Sequence, residues 1–300
     1  MTYSIVARDP KTGLLGVAVQ TATFAAGAIV PWARAGVGVV ATQANAEAAY
    51  GPRCLDAMQA GAAAPAALAQ AQAADEAALL RQVAVVAADG SVAAMTGEWC
   101  IDHAGHVLGD GFAVQANMMA SPAVWPSMAE AFRQSSAPFP RRLLAALEAG
   151  QAAGGDARGM MAAALVVVEA QPRDSWAGRL VDLRVDRSDT PLADLHRLLD
   201  ASEAYGSFNR AVGALFSGDA VAALASADEG LSRLPAEENL RFVRAGALAA
   251  SGDTGHAVAE LRELMAARPS WGIIIRSFIA KGLMTLPPSV LKELTEKAPT

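Results

Sequence analysis

Three hundred residues exceed the usual span of one domain and suggest about two. Hydrophobic types make up 53% of the chain and charged types 18%, which supports a packed core and excludes a disordered chain. The 24 Lys+Arg against 30 Asp+Glu leave a net charge of −6 with no basic block, which argues against nucleic acid or an acidic membrane as partner.

Residues 3–8 read as a strand, and Asp9-Pro10-Lys11-Thr12-Gly13 carries turn chemistry, because Pro fixes a negative φ and Gly permits a positive one. Residues 14–21 continue as a strand, so the chain is expected to open with a β-hairpin. The uncharged stretch 12–33 is long enough to span a bilayer, but Gly13, Gly16, Gly27, Gln20 and Pro31 dilute it, and no membrane span is expected. No basic-then-apolar leader precedes it, which makes the cytoplasm the default location.

A third apolar, β-branched run covers 37–42, and helical stretches follow over 51–60 and 65–74. Residues 82–88 and 91–96 flank Asp89-Gly90, a pair that favours a tight type I′ hairpin. Residues 111–118 read as a strand, 122–134 and 140–152 as helices, and 162–170 and 180–184 as strands. Val83-Ala84-Val85-Val86 and Ala164-Leu165-Val166-Val167-Val168 are apolar on both pleat faces, so these strands are expected to lie between layers. The fold class is therefore α+β with stacked sheets covered by helices; a two-layer α/β body with one sheet is the alternative.

From residue 190 the strand signal stops and a 34-residue offset begins: Ser217-Gly218-Asp219 returns as Ser251-Gly252-Asp253, and Pro235 as Pro269. Ala211 with Ala245, and Ala223 with Ala257, keep that register, as small residues would where two helices approach closely. Residues 204–271 resemble two tetratricopeptide repeats, with 272–283 as a capping helix. The expected domains are 1–188, a linker helix over 189–203, and a helical domain over 204–300.

Chemistry is sought first at the start of the chain. Removal of Met1 before the small Thr2 would leave a hydroxyl and a free α-amine on one residue, so nucleophile and base arrive without a histidine. On a strand Ser4 shares the face of Thr2 and can bond to it. Cys54 and Cys100 read as reduced, packed thiols, and His103 with His106 lack the further ligands of a metal site. Gly154-Gly155-Asp156-Ala157-Arg158-Gly159 lacks the phosphate-loop ending and reads as a tight turn with Asp156 and Arg158 bonding nearby backbone. No Gly-x-Ser-x-Gly elbow is present.

The stretches TYSIVARDP from Thr2, LGVAV from Leu15, VPWARAGVGVVATQ from Val30, RQVAVV from Arg81, DGSVAAMTG from Asp89 and Gly105-His106 carry a family resemblance, together with FAVQANMM from Phe112, GGDARG from Gly154 and DLRVD from Asp182. Over residues 2–187 the chain resembles the family known as domain of unknown function 1028, grouped with the N-terminal nucleophile (Ntn) hydrolases. The resemblance implies a four-layer αββα sandwich with Thr2 as nucleophile and its α-amine as base. It further implies that Arg34 lowers the amine's pKa, that backbone N–H groups around Gln43, Ala44 and Asn45 hold an oxyanion, and that Asn117 and Asp156 belong to the pocket. Apart from the resemblance, Glu98 and His106 are expected at the pocket rim. Met161-Ala162 stands where relatives tend to carry Gln-Ser, and Ala116 where they tend to carry Gly. The expected function is an amidohydrolase on a small amide, without metal or cofactor and as a homodimer. The alternative is a catalytically silent scaffold whose helical repeats bind a peptide or partner protein.

Overall fold

The computed structural model describes residues 2–174 and 177–286. The chain divides into two compact units, Met1–Arg197 and Leu198–Thr300. In the first, β1 (Thr2–Arg8) and β2 (Leu15–Thr21) form the opening hairpin, closed where Gly13 adopts φ +74° and Asp9 accepts from the Thr12 backbone N–H and hydroxyl. β3 (Pro31–Arg34), β4 (Gly38–Ala44), β5 (Arg81–Ala87) and β6 (Val92–Thr96) make a four-stranded antiparallel sheet in that spatial order. A six-stranded antiparallel sheet takes β7 (Gly105–Gly109), β8 (Phe112–Asn117), β9 (Ala162–Val168) and β10 (Arg179–Val185) together with the hairpin, in the order β10-β9-β2-β1-β8-β7.

The two sheets pack face to face through small and β-branched side chains. Val6, Val17, Val19, Ala113, Ala164 and Val166 of the larger sheet meet Val39, Ala41, Ala84 and Val86 of the smaller, all buried. The other face of the smaller sheet is covered by α1 (Tyr50–Gln59) and α2 (Ala64–Ala73), whose Cys54, Leu55, Met58, Ala67 and Leu68 cluster with Val40, Val83 and Val85. The outer face of the larger sheet meets α3 (Val124–Gln134) and α4 (Phe139–Ala152): a Cβ on Gly16 would stand 2.5 Å from Leu143, and one on Gly105 2.8 Å from Trp125. Leu143, Leu144 and Leu147 of α4 are fully buried, each contributing up to about 1.5–3 kcal/mol. Strands apolar on both faces therefore lie between layers, and two sheets replace the one-sheet alternative.

Two elements differ from expectation. β3 and β7 escape the pattern because each is short and lies at a sheet edge, β3 opening on a proline and β7 bounded by glycines. The Asp89-Gly90 pair does not make a type I′ turn. Gly90 alone takes positive φ, at +89°, and Gly90 N–H bonds to Ala87 O, so the loop is a type I turn closed by a left-handed glycine.

In the second unit α6 (Ala220–Arg233), α7 (Glu238–Ala250), α8 (Thr254–Ala267) and α9 (Trp271–Ala280) follow α5 (Pro191–Phe216), which begins in the first. The 34-residue offset has a structural counterpart. Gly218 and Gly252 both adopt positive φ, and Asp219 and Asp253 cap α6 and α8 by accepting from Ala222 N–H and His256 N–H. Ala211, Ala223, Ala245 and Ala257 are all fully buried. A cleft of about 540 Å³ in this unit is lined by Phe208, Val212, Phe242, Trp271, Ile274 and Phe278 among others. Among the described residues no helix is long and apolar enough to cross a membrane.

Candidate functional site

At one end of the two sheets the apolar inner faces give way to amides and hydroxyls. Alternation along each strand turns Thr2 and Ser4, Thr21, Gln43, Gln82, Thr96, Gln115 and Asn117 inward, each following or preceding aliphatic positions. Thr2 is 6% exposed and the other strand residues of this group are buried, except Thr96, which is half-buried.

The group forms one hydrogen-bonded network. Thr2 Oγ1 donates to Thr21 Oγ1 (3.1 Å), and its carbonyl accepts from Gln43 Nε2 (3.0 Å) and Asn117 Nδ2 (3.4 Å). Ser4 Oγ donates to Gln43 Oε1 (2.7 Å) and accepts from Gln115 Nε2 (3.2 Å). Gln82 is the hub: its Oε1 accepts from Gln43 Nε2 (2.8 Å) and Asn117 Nδ2 (2.9 Å), while its Nε2 donates to Thr96 Oγ1 (2.9 Å) and Ala116 O (2.9 Å). Because Thr96 Oγ1 already accepts from Gln82, its own proton is available to His106 Nδ1 at 2.9 Å. Burial lowers the His106 pKa and favours this neutral acceptor form. Gln115 Oε1 is buried and without a partner.

The loops beyond these strands are strained. Ala44, directly after Gln43, and Met118, directly after Asn117, take φ of +69° and +56°, and His103 takes +53°. Non-glycine residues hold this conformation only where neighbours fix it. Asn45 is fixed on both sides, its N–H by Leu80 O and its carbonyl by Arg81 Nη1 (2.7 Å). Arg81 is held in turn by Asp75 (2.9 Å), and that bond keeps the Asp75 carboxyl below its usual pKa. Met118 N–H bonds to Ile101 O, and its carbonyl accepts from Ala157 N–H.

The residues singled out from the sequence distribute unevenly. Thr2, Ser4, Gln43 and Asn117 meet directly, and His106 joins them through Thr96 and Gln82. Asp156 is buried next to this end and acts on backbone: it accepts from Ala22 N–H (3.2 Å), one residue beyond Thr21, and from Arg158 N–H (2.9 Å) and Nη2 (2.9 Å). Arg34 is elsewhere. It pairs with Gly38 at the far end of β4, and its guanidinium bonds to Asp56 (2.9 Å) and Gln59, so it cannot act on the Thr2 amine. The backbone of Asn45 is likewise not free for an oxyanion, since its N–H is spent on Leu80 O; the side chain of Gln43, not its N–H, faces Thr2. Met1 lies outside the described residues.

Thr21, Gln82, Thr96 and Gln115 were not anticipated. Their signal is polar residues at one end of an otherwise aliphatic strand, as in LGVAVQT, RQVAVVA, FAVQAN and VAAMT. Among the described residues no group of three or more His, Cys, Asp or Glu is placed to hold a metal ion.

The sequence model for a family of unknown function, DUF1028, matches residues 2–195, which contain every residue of this network. The chain belongs to the DUF1028 family. Within DUF1028, the crystal structure of protein SPO2555 from Silicibacter pomeroyi is similar at 32% identity and a TM-score of 0.60, covering 66% of this chain and 87% of that one. No curated protein matches significantly.

Proposed function

We propose that the first unit of this DUF1028 protein is an Ntn-type amidohydrolase built as a four-layer αββα sandwich, with Thr2 as nucleophile once Met1 is removed. The observation that carries the reading is the immobilisation of Thr2 in a buried polar network between two sheets, its carbonyl held by one amide donor from each sheet. An α-amino group ordinarily titrates at about 7.7–8.0, and once freed, the Thr2 amine takes the hydroxyl proton as Oγ1 attacks an amide carbon. The tetrahedral intermediate collapses as the leaving nitrogen takes the proton from the ammonium. The acyl-threonine is then hydrolysed by water that passes its proton to the same amine, which returns it to Oγ1 as the acid leaves.

Within this reading, Gln43 and Asn117 orient Thr2 rather than hold the oxyanion, since their amide hydrogens already end on Thr2 O and Gln82 Oε1. The exposed side chain of Asn45 is the remaining oxyanion candidate on the segment 43–45. Intact mass of the purified protein tests the premise: a retained methionine ends the reading. A screen of small amides with the wild type and Thr2→Ala then tests the reaction, and equal turnover in both removes Thr2 from it.

The apolar cleft in the second unit favours a second reading, in which two tetratricopeptide-like repeats over 204–271 bind a peptide or partner protein. With it go the domain limits 1–188, 189–203 and 204–300, of which 287–300 lies outside the described residues; α5 runs unbroken across the 203/204 limit, so the linker and the first repeat helix are one element. A chain ending near residue 202 that loses the cooperative unfolding of the sheets would refute those limits.

A further inference from the structure

We infer that the exposed apolar side chains on the loops next to Thr2 select an apolar acyl group, so that the substrate is an N-acyl amide with an aliphatic chain of several carbons rather than a small polar amide. The inference rests on the reading of Thr2 as the attacking residue. It starts from exposed side chains on segments tied to the polar network. Trp99 is 63% exposed, Ile101 52% and Leu79 45%. Trp99 N–H bonds to Leu79 O (2.9 Å), and the next carbonyl, Leu80 O, accepts from Asn45 N–H (3.3 Å) at the end of β4. Ile101 O accepts from Met118 N–H (3.2 Å), the residue after Asn117, whose register partner is Thr2. Three large apolar side chains are thus solvated one or two residues from the backbone that frames the polar network.

Solvated apolar side chains on loops tied to a buried polar network match a ligand that is polar at the reacting bond and apolar beyond it. Glu98 and Asp102 are exposed on the same loop, so a negatively charged acyl group would be repelled there. A second copy of the chain fits less well. Three partly exposed side chains offer about 300 Å² of apolar area, against about 800 Å² per partner in a stable interface.

The test uses the full chain carrying Thr2→Ala, so that binding is read apart from turnover, with octanamide and acetamide as probes in calorimetric titration. Each methylene buried along these loops tightens binding about threefold to fourfold, so octanamide is expected to bind at least a hundredfold more tightly than acetamide. Trp99→Ser and Ile101→Ser, each checked for native circular dichroism, should cut that preference at least tenfold, and Trp271→Ser in the second unit should leave it intact. Equal affinities for the two probes, a preference that survives both loop variants, or one abolished by Trp271→Ser overturns the inference. So does a wild-type dimer that Trp99→Ser dissociates. Should the loop preference hold while wild type hydrolyses neither probe, the hydrolase reading fails and the binding surface stands.

Discussion

Replacing Gln82 with leucine removes the hub of the polar network at nearly constant volume. Two buried amide donors, Gln43 Nε2 at 2.8 Å and Asn117 Nδ2 at 2.9 Å, would lose the oxygen on which they end. Each orphaned donor costs about 1–3 kcal/mol, and the carbonyl of Ala116 and hydroxyl of Thr96 lose their donor as well. The leucine side chain returns about 1–2 kcal/mol through its apolar surface. A net loss of about 2–4 kcal/mol follows, or about 4–16 °C in melting temperature for a unit of this size. Hydrogen exchange of the amides in β1, β4 and β8 reads this loss within the first unit, whatever the second unit does. The double variant Gln82→Leu/Asn117→Leu, which also removes one orphaned donor, should cost less than the sum of the two single changes. Protection unchanged to within about 0.5 kcal/mol in Gln82→Leu would mean that water replaces the amide, and that the network is open rather than sealed.

Other consequences are simpler. Gly51→Ala would put a Cβ 2.2 Å from the Trp32 ring, and the overpacking should lower stability by about 1–3 kcal/mol in thermal unfolding; an unchanged midpoint refutes the contact. His106 has a pKa below 6.5 in the folded state, so the unfolded chain takes up the proton first. Stability should therefore fall as pH drops from about 6.5 toward the lowered folded value and level off beneath it, and His106→Gln should show less of this loss in urea midpoints taken on either side of that window. Burial pushes the Cys54 thiol up to about 12 and raises that of half-buried Cys100 as well. Native protein near neutral pH should label slowly with a maleimide, at Cys100 before Cys54, and peptide mapping that finds Cys54 modified first refutes the packing around α1.

The elements of the first unit were legible where their chemistry is local and repeated. Doubly apolar runs such as Ala162–Val168 announce strands between layers, and Phe139–Ala152 shows the period of a helix with one buried face. β3 and β7 were not legible because four or five residues at a sheet edge, with a proline or flanking glycines, carry too little periodic signal. The Asp89-Gly90 turn was read in the right place with the wrong geometry. One left-handed glycine suffices when Ala88 joins the loop, and the dipeptide alone does not decide between two and three loop residues.

The polar network itself was half visible, and the reason is topological. Thr2 and Ser4 sit on one strand, so a period of two relates them without knowledge of any partner. That Gln82 stands between Gln43 and Asn117 depends on register in one sheet and stacking of the other upon it, neither of which a linear pattern encodes. Arg34 fails for the same reason. It lies nine residues from Gln43 in sequence, but a hairpin intervenes, and antiparallel pairing with Gly38 carries it to the end of β4 remote from Gln43. At about 3.3 Å per residue, the five residues from Gly38 to Gln43 put roughly 16 Å between that position and the network. Across that distance a half-buried guanidinium already paired with Asp56 exerts little field at Thr2. Arg158 does stand at the Thr21 end, but it is ion-paired with buried Asp156 just as Arg34 is with Asp56, and what it does there is brace the exit of β2. The sequence hides this bracing because Asp156 and Arg158 lie more than 130 residues from the residues they hold.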